Sequence, residues 1–292
     1  MRETRLRSAE IEAVILPGLG ARLHSLKAFG SNVLRTPARP QHHREDPFYW
    51  GAYHMAPWCN RLRIADGARV GNRAVELEPN FPDGSALHGQ LFAAPWAIDA
   101  DGAFSIRSGS HNGWPWAYTV TLRVSVLGPQ LRLDYALRNT SDDPMPAGIG
   151  LHPWFRSPAR VTIPSTKGFP VNACTAAQPQ PMTGALDLGS GAELPPNTDA
   201  TWCELTSSTV EVAWPGEWIG MAMRAEADDV VIVGARPAGL NTVAVEAQSH
   251  APDGLRRLLR GEPHAMRLLA ADETLRFTIT LTFHQQFCGG AS

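Results

Sequence analysis

The chain has 292 residues, 43% of them hydrophobic and 18% charged, with a formal net charge of −2. That balance excludes a disordered chain and supplies material for a large core. It also excludes the cationic excess that would mark a nucleic-acid or membrane-surface partner.

Taken in chain order, the N-terminal stretch MRETRLRSAEIEAV carries charge but no apolar run of a signal peptide. No later segment approaches the roughly 18 uninterrupted apolar residues of a membrane span, so a cytoplasmic protein is expected. Residues 117–127 alternate, with Tyr118, Val120, Leu122, Val124 and Val126 against Thr119, Thr121, Arg123 and Ser125. Residues 131–137 repeat the pattern through Leu131, Leu133, Tyr135 and Leu137. Such period-two runs predict antiparallel strands with one buried face. Residues 178–200 read as a long surface excursion between strands. Shorter strands are expected at 209–214, 219–224, 229–234 and 242–248, punctuated by Pro215-Gly216 and Pro237-Ala238-Gly239. Only 254–260 reads as a helix, with Arg256, Arg257 and Arg260 as a solvated face. A last strand at 275–283 buries Leu275, Phe277, Ile279, Leu281 and Phe283. The expected fold class is all-β, a large antiparallel β-sandwich or a related two-sheet fold, formed by one domain over 1–292. Cys59, Cys174, Cys203 and Cys288 show no CxxC spacing and read as free thiols.

Four segments combine polar groups with unusual punctuation: WCNRLRIADG (58–67), ALHGQLFAAPW (86–96), GIGLHPWF (148–155) and VAVEAQSHAPDG (243–254). In the last, Glu246 has the opposite parity to Val243, Val245 and Ala247, and so faces either solvent or a concave sheet face. Singly, each feature has a plain structural reading. His88 or His152 is a structural histidine, Asn60-Arg61 a turn closed by an ion pair, and Trp58, Trp96 and Trp154 core residues.

Together and in this order, the segments resemble the aldose 1-epimerase (galactose mutarotase-like) family. The resemblance rests on Asn60-Arg61, on Leu87-His88-Gly89 with Trp96, on His152-Pro153-Trp154-Phe155, and on Glu246. It extends from 9–35, which is similar to the family's opening strands, through 111–126 to the closing strand at 268–283. Gly150-Leu151 departs from the polar pair that many mutarotases carry before the second histidine. What the resemblance implies is a galactose mutarotase-like supersandwich that opens a sugar hemiacetal by acid–base chemistry. His152 would be the acid and Glu246 the base. Asn60, Arg61, His88 and Asp199 would hold the hydroxyls, with Trp154 and Trp96 as apolar platforms. Histidine suits an acid role because its ordinary pKa is near 6.5, and burial makes a glutamate a better base. Gly148 and Gly150 would form a turn that aims His152 out of a strand end, with Pro153 keeping its backbone extended.

No metal or organic cofactor is implied, and the partner is a small sugar. The protein is expected to be a monomer or homodimer, with no nucleic-acid or membrane partner. Three alternatives stand beside this reading. One is a hexose-6-phosphate epimerase using Arg63, Arg69 or Arg73 around the phosphate. Another is a non-catalytic sugar binder on the same scaffold. The third is a metal hydrolase built on His42-His43 with His54.

Overall fold

The alternating runs assemble into two antiparallel sheets whose apolar faces meet. The computed structural model describes residues 2–63, 68–110, 113–171 and 176–286. Cys174 and Cys288 lie outside the described residues, as do 64–67 of the first motif and 111–112 of the aromatic-proline segment. An eight-stranded sheet contains the strands Tyr118–Leu127, Gln130–Asn139, Thr209–Trp214, Ile219–Glu226 and Thr274–Gln285. Leu122, Leu133, Tyr135, Met223, Phe277 and Ile279 point inward from it and are buried. The second sheet has eleven strands. Its central run is Arg22–Ala28, Ala52–Met55, Gly150–Arg156, Thr242–Gln248, Val231–Arg236 and Thr198–Cys203.

The strands at the middle of this second sheet differ in kind from those of the first. Thr242–Gln248 is buried at every position, because the main core covers one face and a canopy of loops covers the other. Val243, Val245 and Ala247 enter the main core, while Ala244 packs on the opposite face with Tyr53, Met55 and Trp154. A side chain at the centre of this sheet therefore has no solvent side, and a polar group there is enclosed. Cross-sheet contacts tie the layers together. His54 Nε2–H donates to the carbonyl of Ala21 at 2.9 Å, which leaves its Nδ1 to accept from the Tyr135 hydroxyl at 2.8 Å. The Phe155 and Trp214 rings meet edge-to-face at 5.6 Å.

Three expectations change. The 178–200 excursion ends in a strand, so Asp199 sits on the sheet at the second position of Thr198–Cys203. The helix Gly254–Arg260 forms, but Arg257 is not on a solvated face: it is 1% exposed, with its guanidinium 4.1 Å above the Phe169 ring. It donates to the carbonyls of Pro252, Ala176, Ala177 and Pro263, so its partners are backbone oxygens from three separate segments. The histidines of the hydrolase alternative also serve structure. His54 faces the core, His43 bonds Arg22 and His24, and no three His, Cys, Asp or Glu residues among those described are placed to hold a metal ion. Among the described residues no helix is long and apolar enough to cross a membrane.

The buried histidines make stability depend on pH. Burial pushes the imidazoles of His54 and His250 down to about 4, whereas in an unfolded chain both titrate near 6.5. Between those values the unfolded state binds more protons, so stability is complete above pH ~6.5 and is lost as pH falls toward 4. Urea midpoints measured from pH 7 down to pH 5 should fall, by at most about 1.4 kcal/mol per pH unit for each histidine. A midpoint that stays level over that window would contradict the neutral, buried state of these two residues.

Candidate active site

The site begins with strand register. Gly150 pairs with Gln248, Leu151 with Ala247 and Trp154 with Ala244, so His152 lies directly across from Glu246. On its other side His152 pairs with Tyr53. Side chains on one face of adjacent strands meet, and these do. His152 Nε2 is 3.1 Å from Glu246 Oε1, and the Tyr53 and His152 rings lie 4.5 Å apart at 30°. The neighbouring row runs Trp154, Ala244, Ala235, Asp199. Between a tryptophan and an aspartate, two alanines leave the sheet surface low, and one of them, Ala235, lines the cavity with Trp154 and Asp199.

A second group enters from a corner outside the sheet. Arg61–Leu62 pairs with Ala86–Leu87, which brings the residues just outside this ribbon, Asn60 and His88, together. The His88 N–H donates to the Asn60 carbonyl at 3.0 Å, and both residues take positive φ, +61° and +53°. Gly89 follows at φ +76°, where a Cβ would stand 2.0 Å from the Ala56 carbonyl oxygen. Only glycine permits that approach. His88 meets His152 edge-to-face at 4.9 Å. Arg61 donates from Nε to Asp83 at 2.8 Å, and its Nη1 lies 2.9 Å from Asp199.

The resulting cavity has a volume of about 340 Å³, at the small end of ligand pockets. The buried Tyr53, His88, His152, Trp154 and Glu246 form its inner part, and the partly exposed Phe48, Tyr49, Phe81 and Asp199 its mouth. Inside, burial pushes the Glu246 carboxyl well up and the His152 imidazole well down. The two shifts converge on one arrangement, a pair that holds a single proton in a site that disfavours separated charges. Gln248, fully buried, donates to Glu246 Oε2 at 2.6 Å and so leaves Oε1 turned to His152. His88 is held neutral by burial, and the nearby His152 imidazole and Arg61 guanidinium act in the same direction. The Tyr53 hydroxyl, His88 Nδ1 and His152 Nδ1 are buried with no partner among the described residues, which is hydrogen-bonding capacity open to a ligand.

Of the residues singled out in sequence, Asn60, Arg61, His88, His152, Trp154, Asp199 and Glu246 come together here. Trp96 does not. It is 5% exposed within the main core beside His54, and its indole N–H donates to the Leu91 carbonyl. The glycines before His152 do not form a turn either: Gly150 is in the strand, and a Cβ on Gly148 would lie 2.2 Å from the His250 ring. Arg63, Arg69 and Arg73 are absent from the described cavity wall, and Arg63 and Arg73 pair with Asp253 and Asp143. Sequence reading missed Tyr53, Gln248 and the aromatic mouth. For Gln248 a signal existed, since it shares the parity of Glu246 in a strand with no solvent face.

Comparison with known proteins matches the aldose 1-epimerase family model over residues 3–282. The chain belongs to the aldose 1-epimerase family. Solved structures agree in fold at low identity. A galactose mutarotase-like protein from Clostridium acetobutylicum superposes with a TM-score of 0.82 at 16% identity, over 98% of each chain. An aldose epimerase homologue from C. elegans gives 0.78 at 15%, covering 98% of this chain and 100% of the other. A galactose 1-epimerase from Lactobacillus acidophilus gives 0.77 at 17%, over 98% and 95%. No curated protein matches the sequence. Membership in the aldose 1-epimerase family makes this chain a relative of sugar epimerases.

The corner that carries His88 yields a stability test. Gly89→Ala introduces both a left-handed alanine and a clash with backbone, and should cost more than about 2 kcal/mol in urea denaturation. Gly71→Ala has φ +56° but open space around its Cβ, and should cost only about 1 kcal/mol. Equal losses at the two positions would show that the Ala56 contact does not constrain the corner.

Proposed function

We propose that the protein is an aldose 1-epimerase that interconverts the α and β anomers of a free hexose. The observation that carries this reading is the enclosed His152–Glu246 pair, 3.1 Å apart beside Trp154 in a cavity where the Tyr53 hydroxyl and His88 Nδ1 have no partner among the described residues. Ionised Glu246 takes the proton of the C1 hydroxyl as the C1–O5 bond breaks, and protonated His152 gives its proton to O5. The products are the open-chain aldehyde, a neutral carboxylic acid and a neutral imidazole. Burial favours that neutral pair, so the same desolvation that shifts both groups favours the ring-opened stage. Rotation about C1–C2 and the reverse transfers close the ring on the other face and restore both groups. Arg61, Asn60, His88 and Asp199 bind the hydroxyls, and the Trp154 ring offers an apolar surface to the sugar's C–H face.

A 6-phosphate fits less well. Arg61 is the single cation of the described cavity wall, and it is already shared by Asp83 and Asp199. A binder without chemistry has no use for two enclosed proton-transfer groups whose pKa values are driven toward each other.

Polarimetry on fresh α-glucose, α-galactose and glucose 6-phosphate tests the reading, with a free hexose expected to turn over fastest. Glu246→Gln should lower kcat by about 10²–10⁴. For the wild type, kcat/KM should be bell-shaped in pH. It falls on the acid side as the pair gains a second proton, chiefly at His152, and on the alkaline side as Glu246 gives up the last one. His152→Asn leaves only the requirement for ionised Glu246, so its residual rate should rise with pH through the range where the wild-type rate declines. A well-folded Glu246→Gln protein of near wild-type rate would refute the mechanism.

A further inference from the structure

Arg22 opens the strand Arg22–Ala28 and is 1% exposed. Leu23 pairs with Ala52, so the antiparallel register sets Arg22 beside Tyr53. One row across the sheet therefore reads Arg22, Tyr53, His152, Glu246, of which the last three line the cavity. The guanidinium carbon stands 4.9 Å from the Tyr53 ring centre, and that ring stacks on His152. No ion-pair partner serves Arg22 among the described residues. Its Nη2 donates to the carbonyls of Pro47 at 2.6 Å and Phe92 at 3.2 Å, and its Nη1 to Trp50 O at 3.3 Å and His43 Nδ1 at 3.1 Å. Burying a guanidinium without a carboxylate is costly, and here both terminal nitrogens of its planar fork are engaged, while Nε is buried with no partner among the described residues.

The contacts converge on the segment 47–50, which carries the mouth residues Phe48 and Tyr49. Four successive carbonyls in it are occupied by side-chain donors. Arg22 takes Pro47 and Trp50, the Trp154 indole N–H takes Phe48, and Arg35 takes Tyr49. The Arg35 guanidinium also lies 3.6 Å above the Trp50 ring. His43 belongs to the short helix His42–Glu45 that leads into the segment. Since its Nδ1 accepts from Arg22, its Nε2–H donates to His24 at 3.0 Å.

We propose that Arg22 is a positioning residue for the epimerase reaction, fixing with one guanidinium both the Phe48–Tyr49 wall that meets the sugar and the Tyr53 ring that holds His152 against Glu246. This rests on the epimerase reading given above. The cavity wall is then a fastened strap, not a mobile lid. The charged and titratable groups facing His152 are Glu246 on one neighbouring strand, Tyr53 and Arg22 on the other side, His88 from the corner, and Arg61 across the cavity. Arg22 is the cation of the sheet row itself, placed behind Tyr53 and outside the described cavity lining.

The test combines hydrogen–deuterium exchange of amides 48–51 with kcat, KM and pH profiles for the wild type, Arg22→Lys, Arg22→Met and Arg35→Met. Lysine keeps the charge but, as a point donor, cannot span the carbonyls of Pro47, Trp50 and Phe92. It should speed exchange in the strap and raise KM by about tenfold, the effect of ~1.4 kcal/mol, with the acid limb unmoved. Arg22→Met also removes the charge, so His152 protonates more readily and the acid limb of kcat/KM moves to higher pH. Arg35→Met frees Tyr49 O alone and should raise KM less, again without moving the limb. If Arg22→Met does not fold, the lysine and Arg35 variants decide. Variants that lose thermal stability yet keep wild-type KM, strap exchange and acid limb would overturn the proposal. Should the wild type turn over no aldose, the epimerase reading falls, while the exchange experiment still decides whether Arg22 fastens the strap.

Discussion

Everything at the centre of this molecule depends on the pairing of Gly150–Arg156 with Thr242–Gln248. The flanking pairs lock a register that sets His152 against Glu246. Pro153, with no N–H to give, falls in the stretch between the two hydrogen-bonded runs. A slip of one residue would turn Glu246 into the apolar core and present Val245 or Ala247 to the cavity. The hydrophobic alternation that specifies the core thus also specifies the proposed catalytic pair. The core and the pair cannot be altered independently.

Desolvation governs what that pair is. On a solvated surface a histidine and a glutamate form an ion pair of little energy. Here both are nearly sealed, and burial raises the carboxyl and lowers the imidazole, so separate charges are disfavoured. Gln248 and Tyr53 border the pair from opposite sides, one by hydrogen bond and one by ring contact. The surrounding cations, Arg22 and Arg61, act on the imidazole in the same direction as burial.

How legible this was in sequence follows from how local each cause is. The strands 117–127, 131–137 and 275–283 announce themselves because one face meets water, and that contrast writes the alternation. The central strands meet no water, so their pattern is blurred, yet the parity of Glu246 against Val243 and Val245 still gave its face. Trp96 and Trp154 look alike in sequence. They differ because one follows a loop into the core and the other lies in a strand whose partner is Ala244. Tyr53 was hidden beside His54 in a short apolar strand in which the two side chains point to opposite faces. Arg22 and Arg257 were not readable at all. Arg22 is held by the carbonyls of Pro47 and Phe92 and Arg257 in part by those of Ala176 and Ala177, all distant in the chain, and nothing near either arginine signals burial.

The alanine pair on the sheet surface has a kinetic consequence. Ala235, which lines the cavity, makes room by what it lacks beside the small Ala244, so the depression between Trp154 and Asp199 exists before any ligand arrives. A recess of that origin needs no opening movement of the kind that limits turnover in many lidded enzymes. Entry and exit are then governed by diffusion and by the strength of the hydrogen bonds made inside. Residence time becomes a property of the ligand's own hydroxyl pattern, and slow exchange would have to be sought in the sugar, not in the protein.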